Sequence, residues 1–197
     1  MQVSAYLKLS IAVALATIAL KTGAWWVSGS VSLLSDALES LVNLAGAMFA
    51  LAMVTVAARP ADDDHPYGHH KAEYFSSGFE GVLIFVAALA IIVAAVDRLL
   101  NPRPLEAVGL GLLLSVVSSA MNGALAWSML RKARSARSMA LEADARHLFT
   151  DVWTSAGVVA GLLAVVYTGW LWLDPVIAIA VALNILREGA SLVWRSA

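Results

Sequence analysis

Six long apolar stretches, separated by short polar breaks, organise the chain: roughly 6–28, 31–57, 75–97, 107–130, 141–168 and 171–193. About 20 consecutive apolar residues suffice to cross the hydrocarbon core of a bilayer as a helix. The breaks carry turn and helix-stop residues. They are Ser28-Gly29-Ser30, the segment from Arg59-Pro60 to His70, Asn101-Pro102-Arg103-Pro104, the run Arg131 to Arg137, and Thr168-Gly169. The pattern predicts an all-α membrane protein, a six-helix bundle forming one domain over residues 1–197, with no soluble C-terminal domain.

Composition supports this reading. Of 197 residues, 60% are hydrophobic and only 14% charged, and the mean hydropathy is +0.79. A soluble domain would be about a quarter charged. Six spans take up roughly 120 residues, which leaves room only for short connections. The first stretch is too long for a cleavable signal core. The absence of cysteine excludes disulfides and thiolate metal sites.

The basic residues set an orientation. Four lie in the 131–137 segment, and Arg59 and Lys71 flank the 59–71 segment. Positive segments stay cytoplasmic, so both of these and both termini are expected inside. Trp25, Trp26, Trp170, Trp172 and Trp194 fall near span ends, as interfacial anchors do.

Ionisable residues at membrane depth are costly and usually face a cavity or a partner. In the second span Ser32, Asp36, Glu39 and Asn43 share one helical face, as do Asp144, His147, Asp151 and Ser155 in the fifth. The pairs Asp36/Asp144, Glu39/His147 and Asn43/Asp151 each lie 108 residues apart, which suggests two matched polar faces. Glu39, Asn43, His147 and Asp151 then offer four N/O ligands, a set suited to tetrahedral zinc and related transition metals. Magnesium and calcium favour six or more oxygens. Metal requires a neutral imidazole, so protons compete with it at His147. Asp36 and Asp144, expected one turn outward of their neighbouring ligands, would line an exit path or hydrogen-bond the ligands.

Other polar clusters allow simpler readings. Ser115, Ser118, Ser119 and Asn122 in the fourth span fit hydrogen bonds between helices. Glu73 and Glu80 read as structural. Residues 62–70 hold three carboxylates and three imidazoles, and Asp62, His65 and His69 could meet on one ion as a secondary loop site. The main stripes could also be a polar network that only joins helices, or the proton-coupled site of a small-molecule exporter acting through Glu39. A membrane-embedded hydrolase lacks support, since neither His-Glu-x-x-His nor Gly-x-Ser-x-Gly is present.

Four segments carry a family resemblance: 30–40 (Ser30-Val31-Ser32 through Glu39-Ser40), 65–73 (His65-Pro66-Tyr67-Gly68-His69 through Glu73), 143–151 (Ala143-Asp144 through Asp151) and Leu173-Asp174-Pro175. They resemble the second-helix, loop, fifth-helix and sixth-helix-entry motifs of the cation diffusion facilitators, metal/proton antiporters. The resemblance implies a homodimer joined through membrane helices, with protons and a divalent metal ion as partners within the lipid bilayer. It implies no enzymatic activity, resident cofactor or nucleic-acid partner. Zn²⁺ is the expected transported substrate, with Cd²⁺, and iron, cobalt, nickel or manganese as alternatives. The expected location is a bacterial inner membrane. The resemblance places the transport ligands at Glu39, Asn43, His147 and Asp151, and a secondary site at Asp62, His65 and His69. Three departures stand out. Glu39 and Asn43 replace the commoner Asp or His followed by Asp, His70 stands where Gly is usual, and the sequence stops at Ala197 without the family's usual cytoplasmic domain.

Overall fold

The computed structural model describes residues 3–57, 59–60, 66, 68–69, 72–136 and 139–196. It contains six helices: α1 (Val3–Ser28), α2 (Val31–Ala57), α3 (Ala72–Leu100), α4 (Val108–Ala136), α5 (Met139–Thr168) and α6 (Leu173–Ser196). No strand occurs among the described residues. Five helices, α1 to α5, are long and apolar enough to cross a membrane by length and composition. The all-α bundle agrees with the hydropathy pattern. The largest difference is at α4, which runs through Arg131, Lys132 and Arg134 where a connecting segment was expected. Arg, Lys and Ala are strong helix formers, and the Arg131 guanidinium lies 4.0 Å from the Trp127 ring centre, a cation–π contact that holds the last turns together.

The helix ends follow local chemistry. Gly29 and Gly169 adopt φ of 64° and 72°, and their amides donate to Trp25 and Val165 carbonyls at 2.8 and 2.9 Å. Glycine takes this left-handed conformation without a Cβ clash, so each stops its helix cleanly. The start of α2 is capped from a distance. The Asp174 carboxylate, on the first turn of α6, accepts from the amides of Val31 (2.8 Å) and Ser32 (3.2 Å) and the hydroxyls of Ser30 (2.6 Å) and Ser32 (2.5 Å). A carboxylate at a helix N-terminus satisfies orphan donors and complements the dipole. Asp174 is 1% exposed, so the cap is also an internal tie between α6 and α2. Pro175 follows within the first turn of α6, where its missing N–H leaves no bond unmade.

The helices pack as two triplets. α4 packs most extensively on α5 and α1, and α3 on α6 and α2. One core cluster joins Ala88, Ile91 and Ala95 of α3 to Ala178, Ala182 and Ile185 of α6, with Val31 of α2. Another joins Leu125, Ala126, Met129 and Ala133 of α4 to Leu141, Ala145 and Leu148 of α5. Contacts between the triplets, through α1–α2, α5–α6 and α2–α5, are smaller.

Burial is inverted relative to a water-soluble protein. Lys21, Ser28, Ser30, Ser32, Ser35 and Asp36 are buried, while Phe85, Val93, Leu113 and Val166 are exposed. A soluble monomer rarely displays such continuous apolar faces. With helices of this length, the chain is an integral membrane protein whose polar groups turn inward.

Asp174→Ala removes four bonds to the start of α2 at once. The expected outcome is a loss of about 2 kcal/mol or more, seen as a lower midpoint of thermal unfolding in detergent. Asp174→Asn, which keeps acceptor capacity, should retain part of that stability.

Candidate metal centre

Where α2 and α5 cross, Asn43 Nδ2 donates to Asp151 Oδ1 at 3.4 Å, a long bond. One turn away on α5, His147 Nε2 lies 4.0 Å from Asp151 Oδ2, a consequence of i, i+4 spacing. All three residues line a cavity of about 360 Å³ between α1, α2, α4 and α5, whose polar lining also includes Ser40, Asn122 and Asp144. Asp151 is 8% exposed, whereas the His147 side chain is 51% exposed. One ligand-type residue is therefore held in the interior and the other is open to the cavity mouth.

Glu39, 5% exposed, does not line this cavity. It borders a separate space of about 20 Å³ with Val42, Asn43, Ile84 and Ile185, enough for one water. Asn43 lines both spaces, with Glu39 on the smaller one and His147 and Asp151 on the larger. Among the described residues no three histidine or acidic side chains converge as a metal-binding group. Asn43, His147 and Asp151 are brought together, while Glu39, one turn before Asn43 on α2, borders the smaller space. Of the expected loop site, Asp62 and His65 lie outside the described residues, as does His70. The His69 carbonyl accepts from the Ala72 amide at 2.9 Å and so starts α3.

The expected match of the two polar stripes needs correction. Asn43 meets Asp151, but Asp36 meets Ser155, whose Oγ donates to Asp36 Oδ1 at 2.8 Å. Moving back along α2 corresponds to moving forward along α5, so the helices are antiparallel. Asp36 and Asp144 therefore lie on opposite sides of the Asn43–Asp151 crossing. Asp36 lies towards the α1–α2 turn and Asp144 towards the basic segments. The constant offset of 108 describes sequence spacing, and its Asn43/Asp151 member is a contact.

Asp36 is not a free second group behind the ligands. Lys21 Nζ donates to Asp36 Oδ1 at 2.9 Å and to Ser40 Oγ at 2.8 Å, with both charged side chains at most 2% exposed. Helical periodicity does not announce this buried pair, although a lysine inside an apolar span is a signal by itself. Glu80, read as structural, lies against Gly46: a Cβ there would meet its carboxyl carbon at 3.0 Å. Glycine at 46 admits the carboxylate, which falls within electrostatic reach of His147. The fourth-helix stripe also differs from expectation. Ser118 bonds the Ser115 carbonyl of its own helix at 2.8 Å. The buried oxygens Ser115 Oγ, Ser119 Oγ and Asn122 Oδ1 have no hydrogen-bond partner among the described residues.

Comparison with known proteins agrees with this architecture. Residues 7–197 match the family described as the cation efflux transmembrane domain. An uncharacterized transporter of Synechocystis sp. is 55% identical over 187 residues, covering 95% of this chain and 60% of the relative. The cation-efflux pump FieF of Shewanella oneidensis is 34% identical over 187 residues, covering 95% of this chain and 63% of that pump. FieF of Klebsiella pneumoniae is 31% identical over 175 residues, covering 89% and 58% respectively. The chain thus spans about three fifths of the length of these relatives. The match over nearly all of its residues, on a bundle of inward-turned polar helices, places the chain in the cation diffusion facilitator family as its transmembrane domain.

Proposed function

We propose that this protein carries divalent transition-metal cations, Zn²⁺ foremost and Cd²⁺ with it, out of the cytoplasm in exchange for protons. The observation that carries the reading is the meeting of Asn43 and Asp151, with His147 one turn away, at the crossing of α2 and α5 and on the wall of a cavity. Helices of the two triplets meet there, the place where relative movement of the triplets alters access to an ion. An imidazole with carboxylate and amide oxygens favours zinc-like ions over calcium or magnesium. Iron, cobalt and nickel satisfy the same donors, and manganese suits them least.

In this reading the cation enters past Asp144 and Glu80, whose negative charge concentrates cations at the cytoplasmic mouth. It binds Asp151 and His147 first, and Glu39 turns across Asn43 to complete the set. Binding requires a neutral imidazole and ionised carboxylates, so protons arriving from the other side displace the metal. That competition makes the exchange a secondary transport cycle rather than a chemical transformation. Asp62, His65 and His69 act as a capture site, membrane helices join two copies, and the protein works in a bacterial inner membrane.

Two measurements test this. In everted vesicles under a pH gradient, Asp151→Ala is expected to lower the initial rate of Zn²⁺ uptake by about 100-fold or more. An unchanged rate would remove Asp151 from the route. Asn43→Asp adds a carboxylate beside Asp151 and is expected to bind Zn²⁺ about tenfold more tightly by calorimetry. Its affinity should also fall more steeply as pH drops, because a further proton competes with the ion. Equal affinity in both chains would place Asn43 outside the ligand set.

A further inference from the structure

We propose that Asp36 is a second cation station, outward of the transport site, which the Lys21 ammonium occupies while the cavity opens towards the cytoplasm. The proposal rests on the reading of Asp151 and its neighbours as the transport site and names the next stop on the same route.

Three observations converge on it. The first is the state of the carboxylate. Asp36 is 1% exposed. Its Oδ1 accepts from both Lys21 Nζ (2.9 Å) and Ser155 Oγ (2.8 Å), while Oδ2 is buried with no hydrogen-bond partner among the described residues. An unsatisfied oxygen on a buried carboxylate is expensive and calls for an ion, proton or water. The site already holds a cation, one tethered to α1.

The second observation is the path. Ser40 both lines the cavity and accepts from Lys21, so the ammonium forms part of the boundary on the outward side of the cavity. On α4, Gly23 of α1 faces Leu114, and Gly111 faces Ala24 and Ser28. This antiparallel alignment sets Lys21 level with the turn from Ser115 to Ser118, and Asn122 lines the cavity. The orphaned oxygens of Asn122, Ser119 and Ser115 therefore ascend α4 from the cavity to the level of the ion pair. A run of unpartnered polar atoms connects the two places.

The third observation is the seam. Lys21 and Ser155 belong to the α1–α4–α5 triplet and Asp36 to the α2–α3–α6 triplet. The pair straps the triplets together on the outward side, and their separation on that side would withdraw the ammonium and free Asp36. The station would offer one carboxylate with the hydroxyls of Ser40 and Ser155. All-oxygen donors hold a zinc-like ion less tightly than a set with imidazole, which suits release.

The test is Zn²⁺ binding by calorimetry and thermal unfolding, on the purified full chain in detergent, with Asp62→Ala, His65→Ala and His69→Ala present in every protein compared, the reference called wild type included, so that the loop capture site takes no ion. Wild type and Lys21→Arg are expected to bind one Zn²⁺. Lys21→Met, which leaves the carboxylate without its cation, should bind two and regain lost thermal stability when Zn²⁺ is added. Asp151→Ala/Lys21→Met should keep one ion and lose it when Asp36→Asn is added. No additional ion in Lys21→Met, with its stability indifferent to Zn²⁺, overturns the station. If wild type binds no Zn²⁺ but Asp151→Ala/Lys21→Met binds one, the transport-site reading fails and the station stands. Lys21→Gln, whose amide still reaches for Asp36, is the second variant. Unfolding of both Lys21→Met and Lys21→Gln would overturn the proposal, because the pair would then be a requirement of the fold.

Discussion

The ion pair of Lys21 and Asp36 constrains the whole bundle. Two opposite charges buried together carry a desolvation penalty that their attraction offsets only with good geometry and further hydrogen bonds. Here Ser40 and Ser155 supply those bonds. Removing one partner of such a pair typically costs about 3–5 kcal/mol. The arrangement therefore fixes the relative heights of α1, α2 and α5. That in turn sets Asn43 opposite Asp151 where α2 and α5 cross.

The rest of the polar interior follows a similar logic. In hydrocarbon no water is available to satisfy stray donors and acceptors, so most inward-facing polar groups find partners or border a cavity, with Asp36 Oδ2, Ser115 Oγ and Ser119 Oγ as exceptions among the described residues. Asp174 caps α2 from α6, and the hydroxyls of Ser30 and Ser32 complete the cap. Arg98 at the end of α3 donates to the Gly29 carbonyl. These ties cluster at the α1–α2 turn, the end opposite the basic segments. Towards the basic segments lie the cavity, the half-exposed His147 and the carboxylates of Asp144 and Glu80. The molecule is bound tightly at the end of the α1–α2 turn and open at the end of the basic segments.

Hydropathy made the helices legible because a bilayer demands length and apolarity of each span separately. Every expected span has its helix, and the errors lie at ends such as α4, where helix propensity carries the chain beyond the apolar segment. Which residues share a face of α2 or α5 was also readable, since helical periodicity determines it. What periodicity cannot supply is the direction and height of one helix against another. For that reason Asp36 and Asp144 were set on the same side of the site although they flank it. Partner choice was equally hidden. Nothing in the α2 pattern marks Lys21, 15 residues away on α1, as the partner of Asp36. Glu80 gained significance only when Gly46 proved to be the surface it rests on.

The order of the helices has a mechanical consequence. The links between the two triplets are residues 29–30, 101–107 and 169–172, and all of them lie at the end away from the basic segments. The links within a triplet, α2 to α3 and α4 to α5, lie at the other end. The two halves are thus joined like the covers of a book, with a spine of short covalent connections on the far side of the membrane. Spreading at the end of the basic segments is a rotation about that spine. Spreading the other way works against links as short as Gly29-Ser30, so the outward aperture is limited to a narrow parting. A solute passing through that parting would have to be smaller or less hydrated than one entering at the end of the basic segments.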